Sequence, residues 1–157
     1  MLFAAVFALQ IAATGSASMA AGCATPPAKA ADVEAFVAVN PLRQTDTLAT
    51  VTVCVVARSA AVRIGSYHGE LLFDSSAVRV VRVEKPAGGM RVENATQPGR
   101  VNFAGAAPEG FAPGALVRVV LRIRPRGNAP ALQLTMRELN AVDGKSLLSG
   151  LVTTVRP

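Results

Sequence analysis

His68 is the only histidine in the chain, with Ser66 two residues before it and Glu70 two residues after. These three types suit a proton relay, in which an imidazole takes a hydroxyl proton and a carboxylate steadies the resulting charge. The spacing argues against one. The segment reads as a strand, where residues two apart share a face but stand ~7 Å from one another, too far for direct proton transfer. His68 is expected to be a sheet-face residue. Gly144-Lys145-Ser146 ends like a phosphate-binding loop, yet Leu139 stands where that loop needs its first glycine, and a strand pattern follows in place of a helix. The acids Glu70, Asp74, Glu93, Glu109 and Glu138 are scattered over strand and turn segments. They form neither the held pair of a glycosidase nor the clustered pattern of a calcium loop. Asp74 is expected to cap the turn at Ser75-Ser76 by accepting backbone N–H bonds. Two Cys and one His fall short of the four ligands of a closed zinc site. The reading is a protein without catalysis and without a cofactor.

The residues left with something to do are cysteines and arginines. Cys23 and Cys54 can form a disulfide in an oxidising compartment. Cys23 also ends the run Ala20-Ala21-Gly22-Cys23, which resembles a bacterial lipoprotein box except for Ala20, so it is equally a lipid-anchor candidate. Arg118, Arg122 and Arg124 lie opposite Val117, Val119, Leu121 and Ile123 on one strand and form a basic row. That row suits an acidic protein partner, an anionic lipid surface or an acidic polysaccharide; its plainer reading is a solvated face. The 16 basic and 10 acidic side chains leave a formal net charge of +6, all of it at or beyond Lys29. Nucleic acid is not expected as a partner, because no exposed aromatics interleave with the basic residues. A sugar-stacking platform is disfavoured too, since the chain has no Trp and one Tyr, Tyr67. Phe36, Phe73 and Phe103 fall in strand runs as core residues, which leaves Phe111 in a loop.

Residues 1–22 carry no charged side chain, and an apolar stretch from Leu2 to Ala13 precedes the small residues Thr14 to Ser18. This is the order of a signal peptide, and it predicts export to the periplasm, cell surface or medium. Residues 23–31, with Pro26-Pro27, read as a tether. A single domain over 32–157 remains, long enough to bury a core unaided.

In that domain the period is two. Val51, Val53 and Val55 alternate with Thr50, Thr52 and Cys54; Leu132, Leu134 and Met136 alternate with Gln133, Thr135 and Arg137. Further strand runs are Val33 to Val39, Ile64 to Phe73, Val78 to Val83, Val101 to Ala104, Val117 to Ile123 and Leu151 to Val155. Val78 to Val83 does not alternate cleanly, which predicts a bulge near Val80-Val81 or cover on both faces. Turn signals separate the runs: Asn40-Pro41, Asp74-Ser75-Ser76, Pro86 to Gly89, Pro98-Gly99, Pro108-Glu109-Gly110, Pro113-Gly114, Arg126-Gly127-Asn128 and Asp143-Gly144. The pattern is that of an all-β antiparallel sandwich.

The stretch Gly65 to Asp74, followed by Val78 to Val83, resembles the middle of a cohesin domain. Phe73-Asp74 stands at that family's aromatic-Asp pair and Val78 at the aliphatic start of its next strand. Pro113-Gly114 to Ile123 is similar to the Gly-led strand, and Leu139 to Gly144 to the late acidic-Gly turn. The resemblance spans roughly Val33 to Val155. It implies a nine-stranded jelly-roll β-sandwich, shared with carbohydrate-binding modules. It also implies a protein-interaction function, with a dockerin-like or other exported partner and a link to polysaccharide degradation. Dockerins need calcium to fold. A carbohydrate-binding accessory module and a structural envelope lipoprotein are the alternatives.

Overall fold

The computed structural model describes Cys23 and residues 32–40, 47–124 and 131–156. The leader at 1–22, the tether at 24–31, Pro41 and the turn at Arg126-Gly127-Asn128 lie outside the described residues.

Among the described residues there are nine strands: β1 (Val33–Val39), β2 (Leu48–Ala57), β3 (Ile64–Phe73), β4 (Val78–Glu84), β5 (Met90–Asn94), β6 (Arg100–Phe111), β7 (Gly114–Ile123), β8 (Leu132–Ala141) and β9 (Leu151–Arg156). They form a five-stranded sheet in the order β4-β7-β2-β1-β9 and a four-stranded sheet in the order β5-β6-β3-β8. All neighbours are antiparallel except β1 and β9, which run parallel. The alternating residues read from the sequence supply the inner faces. Val51, Val53 and Val55 of β2 and Val117, Val119 and Leu121 of β7 meet Tyr67, Leu71, Val101, Phe103 and Leu139 of the other sheet. Burying such aliphatic side chains stabilises by about 1.5–3 kcal/mol each, the main favourable term in the fold.

The irregular run at β4 resolves into a bulge. The register with β7 shifts between Val80 and Arg82, and Val81 is left on the exposed side. The extra residue keeps Val78 and Val80 inward at one end and Val83 inward at the other. The turn before β4 is held as expected, with the Ser76 amide donating to Asp74 Oδ1 at 2.7 Å. The Ser76 side chain, together with that amide bond, holds the Asp74 carboxyl below its ordinary value, and Arg124 adds to the effect. A carboxyl lowered in the folded state contributes stability that is fully present above its unfolded value and is lost as pH falls through the folded one. Asp74→Asn should therefore flatten the rise in melting temperature between about pH 2 and pH 5. Thermal melts across that range check it; an unchanged slope would remove Asp74 from the acid response.

Two expectations are corrected. Pro108-Glu109-Gly110 does not separate two elements, because β6 continues through it to Phe111, with Gly110 at φ +71° absorbing the irregularity. Phe111 is accordingly in the core and not in a loop. It is 8% exposed, and its ring centroid lies 5.6 Å from that of Tyr67.

Candidate functional site

Each sheet has an outer face, and the two differ. On the five-stranded sheet, the β1–β2 half is covered. Cys23 is bonded to Cys54 (Cα–Cα 5.5 Å), and the pair packs with Phe36 and Val56 as a second small core. In this structure that bond ties Cys23 to β2. Beside it Glu34, 1% exposed, accepts hydrogen bonds from Thr154 Oγ1 at 2.7 Å and from Arg156, whose guanidinium also lies 4.2 Å from the Phe36 ring centroid.

The arginine row occupies the β4–β7 half of the same face, but its members are not equivalent. Arg118 lies 3.7 Å from Glu84, which is also paired with Arg82 at 2.6 Å. Val120, between Arg118 and Arg122, is buried. Arg122 stands in register with Arg79 of β4, a juxtaposition that local sequence does not disclose. Arg124 follows the end of β7, its amide bonded to the Ala77 carbonyl.

Among the described residues, nothing covers the outer face of the four-stranded sheet, which is built as cross-strand rows. Met90, Ala106, Ser66 and Asn140 are aligned across β5, β6, β3 and β8; Val92, Ala104, His68 and Glu138 form the next row. A third row carries Asn94, Asn102, Glu70 and Thr135. The β5–β6 side is apolar, with Met90 74% and Val92 59% exposed. Alanines behind them leave a shallow depression of about 380 Å³. The β3–β8 side is polar. Ser66 donates to Glu138 Oε1 at 2.5 Å, and the Asn140 amide donates to both Glu138 Oε1 (3.0 Å) and Ser66 Oγ (3.2 Å). Glu70, 5% exposed, lies beneath Arg137 (2.6 Å) and Arg100 (3.6 Å). Buried charge paired this way holds both guanidinium groups at fixed places on the surface.

This platform is anchored from below. Arg91 points inward, its guanidinium 4.1 Å from the Phe111 ring centroid, and donates to Tyr67 Oη at 2.8 Å and the Leu116 carbonyl at 3.2 Å. Burial raises the Tyr67 pKa, and Arg91 opposes the rise. Gly105 lets β6 pass over that ring: a Cβ there would sit 2.5 Å from Tyr67 Cζ.

The polar side chains of the platform are engaged with one another. His68 is exposed in its centre, but the Ser66 hydroxyl is engaged by Glu138, so hydroxyl and imidazole do not form a relay. Gly144 is a turn residue at φ +80°, with the Lys145 amide held by Asp143. Among the described residues, no three of His, Cys, Asp and Glu gather where they could hold a metal ion.

No family model matches the chain, and no curated protein matches it. Solved structures do. A non-cellulosomal cohesin from the archaeon Archaeoglobus fulgidus is 18% identical with a TM-score of 0.61, covering 81% of this chain and 93% of that one. A chain of a type I cohesin–dockerin complex from Clostridium thermocellum gives 0.61 at 12% identity, covering 79% and 99%. A cohesin module of a family 33 glycoside hydrolase from Clostridium perfringens gives 0.60 at 16%, covering 74% and 88%. At these identities the likeness is one of fold. With nine strands in two packed sheets and these neighbours, the protein has the cohesin-like jelly-roll fold.

Proposed function

We propose that the protein is a non-catalytic, exported interaction module that takes a dockerin-type protein partner on the outer face of β5-β6-β3-β8. The observation that carries this reading is the pairing of exposed Met90 and Val92 with the small residues Ala104 and Ala106, beside a fixed polar network. Apolar side chains at this exposure on a flat sheet favour a partner that covers them. The alanines allow close approach, and the Glu70-held arginines set register. That several fold neighbours were solved in complex with dockerins supports the partner class. A role in polysaccharide degradation follows only if the captured partner belongs to such a system.

The test is capture of calcium-loaded dockerin modules from the exported proteins of the source organism, with wild type and with Val92→Asp. A charge at the centre of the apolar side should weaken capture by about 30-fold or more, the effect of losing a hot spot of about 2 kcal/mol. Capture should also vanish on chelation. Undiminished capture by Val92→Asp would move the site to another face, and no capture by wild type would remove the dockerin reading.

A further inference from the structure

The open end of the sandwich, between the β4 edge and the β5–β6 turn, holds a cleft of about 450 Å³. It is a separate place from the platform. Arg79 and Arg124 stand in its lining with Ser75, Thr96 and Gln97, while Val80 and Pro98 give it an apolar wall. Arg122 adjoins it, directly across from Arg79 in the β4–β7 register. Side chains opposite one another on a sheet face lie about 5 Å apart at Cβ, and like charges there are destabilising. Among the described residues, the neighbouring carboxylates are engaged elsewhere. Glu84 is taken up by Arg82 and Arg118, and Asp74 Oδ1 is held by the Ser76 amide. Guarding a sheet edge requires one charge or a bulge, and β4 already has the bulge at Val81. Two facing arginines beside a polar cleft are in excess of that need.

We propose that this cleft binds the carboxylates of an acidic polysaccharide, with Arg79 and Arg124 as its charged contacts and Arg122 extending the track. A guanidinium meets a carboxylate through two parallel N–H···O bonds, so charge and orientation are recognised together. A concave site with polar side chains and a narrow apolar wall fits a pyranose chain, whose hydroxyls can meet Ser75 and Gln97. A lipid headgroup surface is flat and would reach Arg79 and Arg122 without using the cleft. A poly-acidic peptide would satisfy the arginines but would present no ring hydroxyls to Ser75 and Gln97. Recognition here needs no aromatic platform, which the chain lacks.

The experiment titrates the intact domain with oligogalacturonate, using malto-oligosaccharide of equal length, hexaglutamate and phosphatidylglycerol vesicles as comparisons. Oligogalacturonate should bind, weaken as salt rises from about 0.05 M to about 0.5 M, and lose about tenfold or more in each of Arg79→Gln and Arg124→Gln. Gln97→Ala should also weaken it, whereas Val92→Asp on the platform should not. Melting temperatures near wild type for the arginine variants would confirm that the loss is local. No binding of oligogalacturonate overturns the proposal. So does equal affinity for the neutral oligosaccharide, equal or tighter binding of hexaglutamate or the vesicles, or binding that survives both arginine substitutions.

Discussion

Arg156→Ala lowers the unfolding free energy by about 3 kcal/mol, near the bottom of the range for breaking a buried ion pair. Glu34 is 1% exposed and shares its oxygens between Arg156 and the Thr154 hydroxyl. Removing the guanidinium leaves the carboxylate in its buried place with less to balance it, and also strips the cation from the face of Phe36. The lower end applies because the Arg156 side chain is 24% exposed, so water can take up part of its role. The double variant Glu34→Leu/Arg156→Met should recover most of the loss, since an apolar pair of similar volume carries no desolvation penalty. Denaturant titration of the three proteins checks this. A single variant within about 0.5 kcal/mol of wild type would show that β9 is held by other means.

Breaking the Cys23–Cys54 disulfide has a comparable effect through the unfolded chain. The cross-link spans a sequence separation of 31, for which the chain-entropy relation gives about 3.7 kcal/mol at 25 °C. Cys54 is fully buried, and the pair packs on Phe36 and Val56, so Cys23→Ser also withdraws cover from that small core. The oxidised protein should therefore unfold at a clearly higher denaturant concentration than either the reduced protein or Cys23→Ser, which should resemble one another. A difference below about 1 kcal/mol would mean that the segment ending at Cys23 does not constrain the unfolded ensemble as this relation requires.

The strands with one buried and one exposed face were open to reading from sequence. In β2 and β7 the Val and Leu positions alternate because a one-residue slip would place the entire apolar set in water. β5 is not legible in the sequence, because its pattern points the wrong way. Met90, Val92 and Asn94 alternate with Arg91 and Glu93, and hydropathy alone turns Met90 and Val92 inward. The structure has the reverse: Arg91 lies inward against the rings of Phe111 and Tyr67, and Glu93 pairs with Lys85 at 3.0 Å. A guanidinium that finds aromatic faces and a carbonyl loses little on partial burial, and that frees the apolar side chains for the surface. The arginine row of β7 was legible, whereas its meeting with Arg79 depends on cross-strand register. For the same reason the row Val92, Ala104, His68 and Glu138 could not be assembled from any one segment, because its members come from four strands.

β1 lies between β2 and β9, and the β9 contact joins the first strand to the last in parallel. During synthesis from the N-terminus, β1 can find β2 early through a short connection, yet one row of its amides and carbonyls stays open until Leu151 to Arg156 has emerged. For that interval the nascent domain carries a sticky flank able to pair with a neighbouring chain. Premature termination before β9 would therefore yield a species prone to self-association as well as a weakened one. Leu151 to Arg156 thus closes the flank of β1 that the preceding strands leave open.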